Sequence, residues 1–197
     1  VYDYLKSKGN RQLSNLFVHT EEEAAAAEEA NIDFIVAAHD LPQFGIEASL
    51  MDVKKIRKIA PNCFMQSAGP IPPASEYEAI KYANEYLAFG VDCIYVGNHS
   101  LKWIKAMREE NIPTIGQVGL IPGKATWIGG LRAIGKTAEE AIGVLKHTLD
   151  LQEAGVNILD PQRFDKRGEL LCGSDVFIPN SEFEGDNCEL TCDINQD

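Results

Sequence analysis

One junction recurs along this chain. A helical stretch closes on Asn or Gly and runs at once into an apolar, β-rich segment. It appears as Ala30-Asn31-Ile32-Asp33, Phe89-Gly90-Val91-Asp92 and Ala154-Gly155-Val156-Asn157. Gly and Asn tolerate the left-handed backbone that ends a helix, so each copy marks the descent from a helix into a strand. Repetition at the same structural place predicts serial βα units, and therefore a parallel sheet covered by helices.

The rest of the pattern fills in those units. Strands are expected over 13–18, 33–38, 62–66, 92–96, 112–118 and 156–159, and helices over 20–30, 50–59, 75–89, 101–110 and 138–154. Thr137 with Glu140 reads as a capping box opening the last of these helices. The fold class is thus α/β, a (β/α) TIM-type barrel, incomplete or shortened in its last third. A complete eight-fold barrel takes roughly 250 residues, and this chain has 197. Residues 1–160 carry barrel units one to six. Residues 161–197 read as a divergent barrel closure or an acidic extension, since the short stretch 161–168 leaves no room for a crossover helix before the next apolar run at 169–178. An open sheet leaves edges that need cover, which predicts a homo-oligomer.

Composition excludes several classes. A formal charge of −12 argues against nucleic acid and anionic membranes as partners. No apolar run reaches the ~18 residues of a membrane helix, and no basic start with an apolar stretch follows Val1. The expected location is cytoplasmic. Five cysteines do not make a secreted disulfide framework. Cys63 and Cys93 fall in strands as buried thiols, while Cys172, Cys188 and Cys192 offer a weak zinc pattern. Gly130, Gly135, Lys136 and Thr137 match a phosphate-loop spacing, but Gly123-Lys124-Ala125-Thr126-Trp127 precedes them where a buried strand is required.

In a barrel of this kind the site lies at the carboxyl ends of the strands. Reading those ends in turn gives His19, then His39-Asp40, Gln66-Ser67, Asn98-His99, Gln117 and Asp160. The imidazoles suit a transition metal such as Zn, Fe or Mn. His19, His39 and His99, with Asp40 as a fourth member, form one candidate set. The loop Pro70-Ile71-Pro72-Pro73 and Trp127 are candidates to shape or shield the mouth.

The stretch 112–140 resembles the ketopantoate hydroxymethyltransferase family (3-methyl-2-oxobutanoate hydroxymethyltransferase), within the phosphoenolpyruvate mutase/isocitrate lyase superfamily. The family pattern G-H-x-G-L-x-P, a double glycine and G-[KR]-T meet Gly116, Gln117, Gly119, Leu120, Pro122, Gly129, Gly130, Gly135, Lys136 and Thr137. The resemblance implies aldol-type chemistry on a small 2-oxoacid in pantothenate biosynthesis, with Mg²⁺ or another divalent metal and a folate one-carbon donor. It puts the metal at His39 and Asp40, the substrate contacts at Ser67, Asn98 and Gln117, and the base that removes the C3 proton at Asp160. The family's K-L-E-G-G falls on Tyr95-Val96-Gly97-Asn98-His99, and its histidine on Gln117. Ser67 and Gly97 bring no charge for Mg²⁺, which prefers carboxylate oxygen. Two other readings stand beside the transferase: a non-catalytic barrel acting in binding or assembly, and a metal-dependent lyase or hydrolase built on the three histidines.

Overall fold

The apolar runs form six strands that pair in chain order, and every pair is parallel. They are β1 Asn15–Val18, β2 Phe34–Ala37, β3 Phe64–Ser67, β4 Cys93–Tyr95, β5 Thr114–Gly119 and β6 Ile158–Gln162. The computed structural model describes residues 2–6, 13–37, 49–67 and 73–162. Its helices are α1 Tyr2–Lys6, α2 Glu21–Glu29, α3 Leu50–Ile59, α4 Glu76–Ala88, α5 Leu101–Glu109 and α6 Ala138–Ala154. The apolar run over 169–178, the Cys172, Cys188 and Cys192 pattern, and Pro70-Ile71-Pro72 lie outside the described residues.

The sheet curls into a half-barrel with two faces. Side chains alternate along a strand, so each strand feeds both. Ile35, Met65, Ile94, Val118 and Leu159 meet the helices, whereas Phe34, Phe64, Cys93, Ile115 and Ile158 line the inside with Leu13. The first turn of chain plugs the amino-terminal end of that inner face. Tyr4 of α1 sets its ring 4.5 Å from that of Phe34 and 5.0 Å from that of Phe64. Its hydroxyl donates to the Asp33 carbonyl at 3.2 Å. Cys63 and Cys93 are buried free thiols, as their strand positions predict.

The repeated junction has a repeated structure. Asn31, Gly90 and Gly155 all take positive φ, at 54°, 99° and 91°. Asn111, at 59°, is a fourth copy without the sequence disguise of the other three. The acid or amide two residues on is not decoration. Asp33 Oδ2 accepts the Ser14 N–H at 3.0 Å, Asp92 Oδ2 that of Met65 at 2.8 Å, and Asn157 Oδ1 that of Thr114 at 3.0 Å. Each closes the ladder to the neighbouring strand where backbone pairing begins, and for Met65 and Thr114 it satisfies a donor that partial burial would otherwise penalise.

The start of α6 differs from the expected capping box. Thr137 Oγ1 does accept the Glu140 N–H at 3.2 Å. The Glu140 carboxylate, however, takes the N–H groups of Gly135 and Lys136, at 3.2 and 3.0 Å, and pairs with Arg132 at 2.8 Å. The amides of the phosphate-loop look-alike are therefore already engaged by a side chain of the protein itself. Trp127, in the 3₁₀ turn Pro122–Ile128 that follows β5, is 91% exposed and shields nothing among the described residues.

Candidate active site

Alternation on the strands decides which polar groups share the inner face. Gln117 of β5 pairs in register with Asp160 of β6, and both side chains point inward with Ile115 and Ile158, two residues earlier. Tyr95 of β4 lies two residues beyond inward-facing Cys93, and Gln66 of β3 is in register with that cysteine. Asp160 is 1% exposed, Gln66 0% and Gln117 6%. Buried polar groups of this kind require partners. The Tyr95 hydroxyl reaches across β5 and donates to Asp160 Oδ2 at 2.7 Å. The Gln66 amide nitrogen donates to Asn15 Oδ1 at 3.2 Å, while its carbonyl oxygen is buried without a hydrogen-bond partner.

Gly97 explains how these groups fit together. A Cβ added there would stand 2.7 Å from Gln117 Oε1 and 3.2 Å from Tyr95 Cε1. The space a side chain would occupy holds the glutamine amide and the edge of the tyrosine ring. Burial and the adjacent Asp160 anion push the Tyr95 phenol well above its ordinary value. It stays a hydrogen-bond donor throughout the range in which the protein would work.

Ser67 lies on the opposite face of the sheet, and Asn98 lies past the end of β4. Ser67 is in register with Ala37 and Ile94, which face the helices, and its Oγ accepts the Tyr95 N–H at 3.3 Å. It supports the β4 backbone from the outer face rather than facing the inner pocket. Asn98, just past β4, lies against the backbone of the next loop: an added Cβ at Gly123 would overlap its amide. Its Oδ1 is buried without a hydrogen-bond partner.

The two described histidines of the three-His set do not come together. β1 ends at Val18, and the His19 N–H turns to the Glu23 carboxylate at 2.7 Å, which leaves the ring in a groove of about 340 Å³ with Asp52, Lys55 and Ile56 of α3. The His99 N–H closes a turn onto the Val96 carbonyl at 3.1 Å. Its ring meets Trp103 of α5 edge-on, with centroids 6.5 Å apart. The histidines thus turn toward different helices, because strand-end position does not fix where a side chain goes once the strand has ended. His39 and Asp40 lie outside the described residues. Among the described residues no group of three or more His, Cys, Asp or Glu side chains is placed to hold a metal ion. No chemical step is routed through a metal.

His99 instead makes a pH-sensitive packing element. Neither ring nitrogen has a hydrogen-bond partner, and burial pushes its pKa down to about 4. Unfolded, the imidazole titrates near ~6.5, so below that value the unfolded chain takes up a proton that the folded chain refuses. Stability from this group is complete above ~6.5 and is lost as the pH falls toward about 4. Urea unfolding should give a stability about 2 kcal/mol lower near pH 5 than near neutrality. His99→Leu should remove most of that difference; an unchanged acid slope in this variant would contradict the assignment.

The geometry at hand is an inward carboxylate, a phenol that donates to it and a neighbouring amide, at the carboxyl end of a parallel βα sheet. A sequence profile of ketopantoate hydroxymethyltransferase matches residues 3–160, the same stretch that builds this half-barrel. The chain belongs to the ketopantoate hydroxymethyltransferase family.

A 3-methyl-2-oxobutanoate hydroxymethyltransferase of Kosmotoga olearia is 31% identical over 171 residues, which cover 79% of this chain and 64% of that protein. One from Thermus thermophilus is 28% identical, again with 79% and 64% covered. The chain thus spans less than two thirds of the length of these relatives. Among solved structures, phosphonopyruvate hydrolase superposes with a TM-score of 0.58 at 13% identity, covering 79% of this chain and 60% of that one. A 2,3-dimethylmalate lyase of the PEP mutase/isocitrate lyase superfamily gives 0.55 at 11% identity, covering 81% and 62%. At such identities the likeness is one of fold.

Two features of the pocket escaped the strand-end reading. Asn15 opens β1, and Tyr95 ends β4 one residue before the end expected at residue 96, so neither stood at an expected strand end. The sequence signal was the alternation in Cys93-Ile94-Tyr95, which puts Tyr95 on the same side as Cys93.

Proposed function

We propose that this chain acts on a small 2-oxoacid and makes or breaks a C–C bond next to its carbonyl, with Asp160 as the base that takes the C3 proton. The observation that carries this reading is the buried, inward Asp160 with Tyr95 donating to it and Gln117 beside it. Removal of a C–H proton needs a positioned acceptor, and the enolate that forms needs donors at its oxygen. Asp160 supplies the first. The Gln117 and Asn98 amides are the candidates for the second, and for holding the substrate carboxylate.

The named relatives are 3-methyl-2-oxobutanoate hydroxymethyltransferases, which makes 3-methyl-2-oxobutanoate the first substrate to try. The phosphonopyruvate hydrolase of similar fold was solved with oxalate and Mg²⁺. A cation in this chain would draw on His39 and Asp40, with hydroxymethyl transfer taking its one-carbon unit from a folate. Among the described residues β1 and β6 are the outer strands of the sheet, and a second copy of the chain would cover such edges.

One observation favours a non-catalytic binding role instead. The space above Gly97 is filled by Gln117 and Tyr95, which narrows the room for a substrate. Thermal melting with 3-methyl-2-oxobutanoate, alone and with Mg²⁺, Mn²⁺, Co²⁺ or Zn²⁺, tests whether the chain takes the substrate that the enzyme reading requires. A ligand present at about a hundred times its Kd stabilises the fold by about 2.7 kcal/mol, an easily visible rise in Tm. A rise with the 2-oxoacid supports the enzyme reading, and one that also needs a metal places both ligands in one site. A flat response to every combination would favour the binding role.

A further inference from the structure

We infer that Tyr95 is a positioning residue for Asp160: its hydroxyl, fixed from the backbone of β4, sets the plane in which the carboxylate meets the substrate. This rests on the 2-oxoacid reading above.

Three contacts hold the tyrosine in place. The N–H of Tyr95 donates to Ser67 Oγ at 3.3 Å, which ties its backbone to β3. Its ring edge lies where a Cβ at residue 97 would come within 3.2 Å. Its hydroxyl then spans β5 to reach Asp160 Oδ2 at 2.7 Å, the length of a charge-assisted O–H to carboxylate bond. Ser67, Gly97 and Tyr95 thus act as one support. Gln117, the β5 neighbour of Asp160, is uncharged, and Tyr95 of β4 is a titratable group that donates to this carboxylate.

The chemistry explains why orientation matters. In the proposed step the C3–H bond breaks, the proton moves to Asp160, and its electron pair shifts through C2 onto the carbonyl oxygen. Nothing is oxidised or reduced. A carboxylate free to rotate would present an oxygen to C3 only part of the time, and misplacement by an ångström can cost about a hundredfold. A donor on Oδ2 also favours the ionised form, which is the form that can accept a proton.

Tyr95→Phe keeps the ring and removes only the hydroxyl. In exchange of the C3 proton of 3-methyl-2-oxobutanoate for deuterium, the variant should lose about ten- to a hundredfold in kcat, with KM within about twofold. The acid limb of its pH profile should move up, because the carboxylate loses a donor that favours its ionised form. A readout independent of turnover is the titration of ¹³C-carboxyl-labelled aspartate, in which the Asp160 signal should move in the same direction. Unchanged kcat and an unchanged carboxyl titration would overturn the inference. If the wild type exchanges nothing, the 2-oxoacid reading falls, and the titration alone decides whether Tyr95 governs Asp160. If Tyr95→Phe does not fold, Gly97→Ala, which crowds the ring and the Gln117 amide, must lower kcat instead; an unchanged kcat there overturns the inference too.

Discussion

Asp160→Asn should abolish exchange of the C3 proton while leaving the protein folded. Asparagine has the shape of aspartate and still offers Tyr95 an oxygen to donate to, so the 2.7 Å contact can persist. What it lacks is a site for the proton. General base catalysis is worth about 10²–10⁴-fold, and the loss should fall in that range. Because Asp160 is 1% exposed, the substitution also removes a buried charge, so the melting temperature should hold or rise. Retention of more than about a tenth of the wild-type rate would remove Asp160 from the role of base.

Arg57→Ala should cause the largest loss of stability among single polar substitutions. The guanidinium is the clasp between the third and fourth units of the half-barrel. Its Nε donates to the Gly90 carbonyl at 2.7 Å, and one terminal nitrogen donates to Cys63 O at 2.9 Å and to Ala60 O and Pro61 O at 3.2 Å each. The other terminal nitrogen pairs with Asp92, whose carboxylate also takes the Met65 N–H. Truncation leaves several half-buried carbonyls without a donor and Asp92 without its cation. A loss of about 3 kcal/mol is expected in urea unfolding. Arg57→Lys should recover little, because an ammonium cannot spread its donors over a planar fork. Less than about 1 kcal/mol for the alanine variant would show that the clasp contributes only as an exposed ion pair does.

The fold was legible because its signals are local. A left-handed Asn or Gly, followed two residues later by Asp or Asn, is both a helix stop and a strand tie, and both roles are present in Asn31 with Asp33 and in Gly90 with Asp92. Helix α6 was read to the residue from its cap and its terminal Gly155. The strands shifted by one to three residues, since alternation identifies a strand better than it fixes its ends. Helix α1 was not anticipated: its place is set by Tyr4 packing on Phe34 and Phe64, contacts that join distant parts of the chain.

The site was legible in part. Asp160 and Gln117 share the inner face because they sit in register on neighbouring strands. Ser67 illustrates the weakness of reading strand ends alone, because a shift of one residue changes the face, and it lies one beyond inward-facing Gln66. His19 and His99 lie beyond the strands, where turn geometry takes over from alternation. Tyr95 was hidden because it stands where the family motif has a lysine, and its bond to Asp160 joins residues 65 apart in the chain.

The most direct test of the account is proton NMR of 3-methyl-2-oxobutanoate in D₂O with the purified chain. The account predicts loss of the C3–H signal at a rate proportional to protein concentration, absent with Asp160→Asn. A 2-oxoacid that raises the melting temperature, yet keeps its C3 proton as long as it does in buffer alone, would contradict it and leave a barrel that binds without catalysing.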